Sequence, residues 1–335
     1  MPDISVMSSA ENFYANLQEF LFAKIITPLL YQFDLMIWAE DIYEGLDWFI
    51  LGCIQILFIL VILRSWERFA PAESQNLSAK PIKADVIYTL FHRLGIFHAI
   101  FFIILSGLFF GINAALHDFR FVKLNVESWW PSITSIPLVS FLIYLVILDL
   151  GEYLYHRASH TVHWWWQLHA LHHSQTVMTA WSDNRNNILD DIFHAIAFAL
   201  LALFIGVEPG QFILLVVISQ LIQSWQHANI KVHLGRFKYL VVSPMFHRMH
   251  HAVGYGHEAI GKPGVLGGCN FGVLFPWWDM AFKTAIFPTE VYPTGVRNLV
   301  VSDGIVHQQW RTMRNAFHEL LPQSKKRSSI HSESS

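Results

Sequence analysis

Long runs of uncharged apolar residues alternate with short polar segments along most of the chain. Segment 95–116 has 22 residues and no formal charge, enough for a helix that crosses a bilayer, which takes about 20 apolar residues. Segments 48–63 and 133–148 reach that length if each helix continues for one more turn. Two shorter arms, 192–206 and 210–226, predict a hairpin in which the chain returns to the side that it left. The pattern therefore predicts several membrane helices joined by short loops.

The composition supports the same interpretation. Of the 335 residues, 53% are hydrophobic and 14% are charged, whereas an ordinary soluble domain carries about 25% charged residues. The mean hydropathy is +0.37 and the net charge is −3, so neither disorder nor a basic surface for nucleic acid is expected. Two cysteines, Cys53 and Cys269, do not make a disulfide framework. We therefore expect an all-α fold, a polytopic integral membrane helical bundle.

The distribution of lysine and arginine predicts the orientation in the membrane. Loop 64–93 carries five of these residues, whereas the first 47 residues carry one, Lys24. Short cytoplasmic loops are enriched in lysine and arginine. We therefore expect loop 64–93 in the cytoplasm, 117–132 on the far side, and the chain from residue 150 onward in the cytoplasm again. The membrane would be a bacterial inner membrane or the endoplasmic reticulum.

Histidine is the unusual residue of this sequence, because 13 of the 19 histidines lie between His156 and His257. Three strings stand out: His-Arg-Ala-Ser-His, His-Ala-Leu-His-His and His-Arg-Met-His-His. Residues three or four apart lie on one face of a helix, so each string predicts a single stripe of convergent imidazoles. The eight histidines of the strings are His156, His160, His169, His172, His173, His247, His250 and His251.

Eight convergent imidazoles need a common partner, because a buried polar group left unsatisfied costs about 1–3 kcal/mol. A metal ion supplies one, and imidazole suits zinc, copper, iron and nickel. Zinc usually takes four ligands, so eight or more histidines indicate two metal ions. His227, at the end of the second hairpin arm, is a further candidate ligand, and His233 is a possible additional one. His194 is expected to be a structural histidine.

Two metal ions held by neutral imidazoles keep a large positive charge. Nearby carboxylates are expected to offset this charge by accepting hydrogen bonds from the outer ring N–H groups. Asp149 is the first candidate, because it lies on the same helical stripe as His156 and His160. The other candidates for supporting the ligands are Asn229, Asn270 and Asp279.

The order of these motifs resembles the fatty acid hydroxylase/sterol desaturase superfamily over roughly residues 140–285. After Asp149 and the first two strings come His227-Ala-Asn, the third string, Asn270-Phe-Gly and Trp278-Asp279. The resemblance implies a cytoplasmic histidine-rich cap that holds a non-haem di-iron centre, with O₂ as co-substrate. The iron ligands that it implies are His156, His160, His169, His172, His173, His227, His247, His250 and His251.

Three stretches depart from the pattern of that superfamily. Arg185-Asn186-Asn187-Ile188 stands where many members have Arg-x-His-Pro, and Lys283-Thr284 stands where many have Gly-Thr. Residues 252–269 form a long glycine-rich insert. The sequence also lacks the His-Pro-Gly-Gly signature of a fused haem domain, so a separate electron-donor protein or reductase is expected as a partner.

Four regions are expected along the chain. A polar and interfacial segment covers 1–47, transmembrane helices and loops cover 48–139, and a C-terminal cytoplasmic tail covers 286–335. Between them, 140–285 is expected to be the hydroxylase-like domain, with its membrane hairpin at 192–226.

The expected function is that of a membrane-bound, O₂-dependent di-iron oxidoreductase. It would hydroxylate, desaturate or demethylate a fatty acyl, sterol or related membrane lipid. One alternative is an ether-lipid (alkylglycerol-type) monooxygenase that uses a pterin. A more distant one is a histidine-rich metal transporter, which would carry polar residues within its spans. A zinc hydrolase is not expected, because the sequence has no His-Glu-x-x-His string.

Overall fold

The structure is a computed structural model that describes residues 4–74, 79–297, 299 and 304–321. Helices dominate it, which confirms the expected all-α class. The end of the expected C-terminal tail, 322–335, lies outside the described residues. The α-helices are α1 (Ile4–Leu21), α2 (Thr27–Gln32), α3 (Ala39–Phe58), α4 (Arg64–Phe69), α5 (Ala79–Arg93), α6 (Ile96–Asp118), α7 (Pro131–Thr134), α8 (Pro137–Thr161), α9 (His163–His169), α10 (Ile188–Ile205), α11 (Pro209–His227), α12 (Pro244–His250), α13 (Trp277–Ala281) and α14 (Ile305–Leu320).

Shorter elements connect these helices. Single π-helical turns follow α1 and α3, and short 3₁₀ turns occur in several loops. The two strands of the described chain, β1 (Glu258–Ala259) and β2 (Lys262–Leu266), form an antiparallel hairpin inside the glycine-rich insert. The turns are Phe22–Ile26 and Ile59–Leu63 (π) and Met36–Trp38, Val126–Ser128, His172–Ser174, Ser182–Asn184 and Gly235–Tyr239 (3₁₀).

In the described part of the chain, four helical stretches are long and apolar enough to cross a membrane: Met36–Phe69, Ile96–Asp118, Pro137–Thr161 and Ile188–Ile205. They contain the predicted segment 48–63, all of 95–116 except Gly95, and most of 133–148 and 192–206. The second hairpin arm forms α11, a helix of 19 residues that is not one of the four. The polytopic helical architecture is therefore confirmed, with one arm of the hairpin less apolar than expected.

Helix α8 is the element that carries the chain from the apolar region to the histidines. It begins at Pro137, whose fixed φ suits the first turn of a helix, and continues for 25 residues to Thr161. The sequence predicts that the helix of segment 133–148 continues past its apolar run, with Asp149, His156 and His160 on one stripe, and the structure confirms this. Since the polar residues after that run repeat with helical spacing and are buried on one side, the same helix extends through His156 and His160.

The chain forms two compact units, and the first comprises residues up to Phe58 together with Leu90–Phe109. In it, α3 passes very close to the end of α5. A Cβ added at Gly52 would lie 1.5 Å from the carbonyl oxygen of Arg93, so only glycine fits there. The Arg93 guanidinium donates to the side-chain oxygen of the buried Gln55 at 3.1 Å, which keeps this cation paired in an apolar setting.

The second unit comprises Ile59–Thr89 and the chain from Phe110 onward, and it contains every histidine string. Its apolar core joins α8, α10 and α11 through the buried side chains of Tyr144, Leu148, Phe198 and Leu215. Helix α10 ends at Gly206, whose φ of 77° favours glycine and lets the chain reverse into α11. Because of this hairpin, His227 lies at the same end of the unit as His156 and His160 of α8.

The last described helix, α14, was expected only as part of a tail. It packs against α9, and hydrogen bonds join it to α5: the Tyr88 hydroxyl donates to the Gln308 side chain at 3.1 Å. The side chain of Gln309 also donates to the backbone oxygen of Asn186 at 2.7 Å. Helix α14 therefore covers the segment that carries the second histidine string.

Candidate metal centre

Helix α8 presents one buried stripe toward the centre of the second unit. Asp149, Tyr153, His156 and His160 all lie on it, and each is less than a tenth exposed. The rings of His156 and His160 are one helical turn apart, with their centroids 5.2 Å from each other. The predicted stripe is therefore formed, and it places two imidazoles together.

The second and third strings are both divided between two clusters. Their first and last histidines, four residues apart, stay together, whereas the middle histidine turns toward the other cluster. Residues three and four positions along a helix differ in direction by about 100°, which explains why neighbouring histidines diverge. The prediction of a single stripe for each of these strings was therefore wrong.

Nine buried histidines form the two clusters. In each, one ring nitrogen per histidine lies within 4.8 Å of the corresponding nitrogens of the others. The five-histidine group is His156, His160, His169, His173 and His250, and the four-histidine group is His172, His227, His247 and His251. The two groups adjoin, since the rings of His173 and His251 stack with centroids 4.3 Å apart.

In the five-histidine group, four rings donate their Nδ1 hydrogen to an acceptor outside the group. A carbonyl or carboxylate oxygen accepts but does not donate, so Nδ1 carries the hydrogen and Nε2 keeps its lone pair. The pairs are His156 with Phe271 O (2.9 Å), His160 with Gly267 O (3.3 Å), His169 with Asp190 Oδ2 (2.9 Å) and His250 with Cys269 O (2.7 Å).

The Nε2 atoms of this group have no hydrogen-bond partner within the described part of the chain, although all five are buried. An unsatisfied buried polar atom costs about 1–3 kcal/mol, and five in one place are not compatible with an apolar core. Five lone pairs directed at a common space suit a cation that takes imidazole ligands. The five-histidine group could therefore hold one metal ion.

In the four-histidine group, the Nε2 atoms approach each other in sequence. The distances are 3.3 Å from His172 to His227, 3.1 Å from His227 to His247 and 3.2 Å from His247 to His251. Two nitrogens that each lie about 2.0–2.1 Å from one ion, at angles between 90° and tetrahedral, are about 2.8–3.4 Å apart. The observed separations fit a second metal ion.

Burial keeps these imidazoles neutral. It lowers the pKa of His250 to about 3, and it holds the pKa values of His172, His173, His247 and His251 well below the usual range. Neighbouring imidazoles lower the pKa values further, because a second positive charge nearby is unfavourable. These five rings therefore favour the neutral form, which keeps the lone pair that a metal ligand needs.

Asp149 and Asp279, the expected partners of the outer ring N–H groups, accept hydrogen bonds from the backbone and from an indole instead. Asp149 accepts from the backbone N–H of Leu274 (2.7 Å) and from the Trp278 indole (2.9 Å). Asp279 accepts from the backbone N–H of Phe271 at 2.9 Å. Both carboxylates therefore fix the loop after the glycine-rich insert.

Asn229 and Asn270 also form hydrogen bonds with the backbone rather than with the imidazole rings. The side chain of Asn229 exchanges hydrogen bonds with the backbone of Glu73, at 2.9 and 3.2 Å. The amide of Asn270 donates to the carbonyl oxygens of Phe246 and Ile286, at 2.9 and 2.7 Å. The two residues therefore position α12 and the chain after His227.

The two remaining candidates discussed above, His233 and His194, lie outside the two groups. His233 is half-buried and belongs to neither group, so the suggestion that it adds a ligand finds no support in the described residues. His194 pairs with Glu152 at 2.9 Å, as expected of a structural histidine.

Sequence reasoning missed Asp190, the carboxylate that does contact an imidazole of the groups. It also accepts from the Trp165 indole at 2.8 Å and the Tyr155 hydroxyl at 2.9 Å. An acid at the start of a long apolar arm was an available signal, because such an acid needs buried partners. The carbonyl acceptors of Gly267, Cys269 and Phe271 had no such signal, since any residue type supplies a carbonyl.

Comparison with known proteins places these motifs in a family. The fatty acid hydroxylase family matches residues 141–284, a range that includes all nine histidines of the two groups. The chain is 26% identical to an alkylglycerol monooxygenase of Caenorhabditis elegans over 77% of this chain and 47% of the relative. It is 29% identical to the Homo sapiens alkylglycerol monooxygenase, over 52% of this chain and 35% of the relative.

A bacterial relative extends the comparison. The chain is 27% identical to an ornithine lipid hydroxylase of Rhizobium tropici, over 45% of this chain and 43% of the relative. The chain spans about a third to a half of the length of these curated relatives. No solved structure gives a significant match. The family match and the relatives agree with the geometry of the histidines, and the region that holds the two groups is similar to proteins of the fatty acid hydroxylase/sterol desaturase superfamily.

Proposed function

We propose that this protein is a membrane-bound, O₂-dependent oxidoreductase that oxidises a C–H bond of a lipid. The observation that carries the proposal is the pair of adjoining histidine groups, whose nine lone-pair-bearing rings are buried beside membrane-spanning helices. The named activities of the relatives, lipid hydroxylation and monooxygenation, support the same reaction class.

The proposed cofactor is a pair of iron ions, one for each histidine group. When bound, iron supplies the redox chemistry with O₂ that no protein side chain provides. The nine ligands are neutral, so the buried Asp190 carboxylate offsets part of the positive charge through His169. A separate electron-donor protein would deliver the electrons that the reaction consumes.

The residues of the chain orient the imidazole rings and exclude water from the site. Carbonyl groups from the glycine-rich insert hold the rings of His160 and His250, so their Nε2 atoms keep one direction. Because every ring of the two groups is buried, bulk water is kept from the reacting carbon. The lipid chain would approach from the bilayer beside the apolar helices that bear the groups, with its reactive carbon near the histidines.

The most direct test incubates the full chain in nanodiscs with O₂, a reductase system and a panel of lipids. The panel contains a fatty acyl phospholipid, an ornithine lipid, a sterol and an alkylglycerol. We expect O₂-dependent conversion of one lipid class, and none by the His173→Ala variant. If an iron-loaded wild type reduces O₂ but leaves every lipid unchanged, lipid oxidation is the wrong function.

A second candidate is an ether-lipid monooxygenase that uses a pterin. Several of the relatives are alkylglycerol monooxygenases, and one alignment covers 77% of this chain. The same panel separates the candidates: conversion of the alkylglycerol that requires a tetrahydropterin supports the second, and conversion of another lipid with a protein reductase supports the first.

A further inference from the structure

Helix α14 is attached to the second unit by its polar face. Gln308, Thr312 and Ala316, which follow one another at intervals of four residues, are its buried side chains. This arrangement is the reverse of that in a soluble domain, where an amphipathic helix buries its apolar stripe.

The attachment point lies where a membrane-spanning helix begins. The side chain of Gln309 accepts from the backbone N–H of Ile188 at 2.8 Å, and Ile188 is the first residue of α10. The Asn187 side chain, which caps α10, donates to the Thr312 hydroxyl at 2.7 Å. Since α10 is apolar enough to cross a membrane, its first residue lies near the bilayer surface, and α14 is fixed at that level.

The exposed side of α14 is strongly apolar. The exposed fractions are 83% for Val306, 64% for Trp310, 64% for Phe317 and 60% for Leu320. At 100° per residue these four lie within one stripe about 80° wide. A stripe of large apolar residues exposed in this way indicates a surface that is covered in the working protein.

The charge beside this stripe indicates what covers it. The charged residue is Arg314, which is exposed on the side of the helix next to the apolar stripe, and the polar side chain of His307 is exposed beside it. A helix with aromatic and aliphatic residues on one side and basic residues beside them is typical of helices that lie in a bilayer interface. Long basic side chains there reach the lipid headgroups.

We propose that α14 lies in the interface of the bilayer that the chain spans, with Val306, Trp310, Phe317 and Leu320 among the lipid chains. The helix thereby ties the segment of the second histidine string to the membrane surface. This inference is independent of the reaction that the histidine groups perform.

The test measures the depth of single fluorescent labels in the full chain. Cys53 is replaced by serine, and buried Cys269 is left in place. An environment-sensitive dye is attached at Trp310→Cys or Phe317→Cys, and at His307→Cys as the matched control on the basic side. The protein is reconstituted as one copy per nanodisc of phosphatidylcholine and phosphatidylglycerol. Quenching is measured with nitroxide-bearing lipid chains and with aqueous iodide.

We expect several-fold stronger lipid quenching and weaker iodide quenching at positions 310 and 317 than at 307. Equal iodide quenching at all three positions, without lipid quenching, would show that the stripe faces water and would overturn the proposal. Protection from both quenchers would assign the stripe to a contact within the protein. That result would also overturn the proposal.

Discussion

The five-histidine group and the four-histidine group differ in how their outer ring nitrogens are held. In the former, four of the five rings donate Nδ1–H to a carbonyl or a carboxylate. In the latter, His227 donates to Gln223 O at 2.9 Å, whereas Nδ1 of His172, His247 and His251 is buried without a partner among the described residues.

Because of this difference, the rings of the two groups are not equally preorganised for binding a metal ion. Rings whose outer nitrogen is hydrogen-bonded are fixed in tautomer and orientation, and such outer contacts strengthen metal binding. Among the described residues, the four-histidine group has one such outer contact, that of His227, against four in the five-histidine group. We therefore expect it to bind its ion more weakly and to release it first.

The largest effects should come from removing one ligand of each group. His251→Ala leaves three imidazoles in its group and should lower the metal content from two ions per chain to about one. His160→Ala leaves four and should retain more metal. Both variants should lose turnover completely, while His233→Ala, which changes a histidine outside the groups, keeps wild-type metal and activity. Metal analysis of the purified variants checks this, and equal metal loss from both groups would refute the asymmetry.

The second-largest effect is expected for Asp190→Asn, which removes the carboxylate acceptor of His169. Losing such an outer contact typically costs about 10–100-fold in metal affinity or activity. Glu152→Gln is the matched control, because Glu152 pairs with His194 at the same 2.9 Å but outside the groups. Competitive metal titration should show a loss of affinity in Asp190→Asn alone. Equal affinities for the two variants would show that Asp190 does not support metal binding.

A third prediction concerns the glycine-rich insert. A Cβ at Gly256 would lie 1.7 Å from the carbonyl oxygen of His250, so Gly256→Ala must displace the third string or the insert. Forcing atoms into a packed site costs typically about 1–3 kcal/mol. We expect a lower unfolding temperature and weaker metal retention in Gly256→Ala.

The control is Gly111→Ala, a helical position at which an added Cβ would meet nothing within 4 Å. This control should lower neither the unfolding temperature nor the metal retention. A Gly256→Ala variant as stable as the control would contradict the observed packing.

The smallest effect should come from Asp279→Asn. This change weakens the hydrogen bonds to the Phe271 and Gly272 N–H groups and reaches His156 only through the Phe271 carbonyl. One hydrogen bond contributes about 0.5–1.5 kcal/mol, so we expect a loss of roughly 2–10-fold in metal affinity. A metal titration that shows a greater loss than in Asp190→Asn would mean that Asp279 acts on the rings directly.

The sequence predicted the helical membrane fold and eight residues of the two groups, because apolar length and histidine spacing are local patterns, and it predicted the ninth, His227, from its place at the end of the second hairpin arm. It did not predict that His172 and His250 separate from their neighbours, since that depends on where α9 and α12 end and how they pack. Nor could it predict the roles of the Gly267 and Cys269 carbonyls. These roles arise from the path of the insert, which the sequence shows only as a departure from the pattern of the superfamily that it resembles.

The central claim, two metal ions in sites of unequal strength, is tested most directly by counting iron and zinc in the purified full chain during stepwise chelation. We predict two iron ions per chain that leave in two steps, with the first step absent from His251→Ala. One metal ion per chain, zinc alone from iron-replete cells, or loss of both ions in a single step would contradict the account.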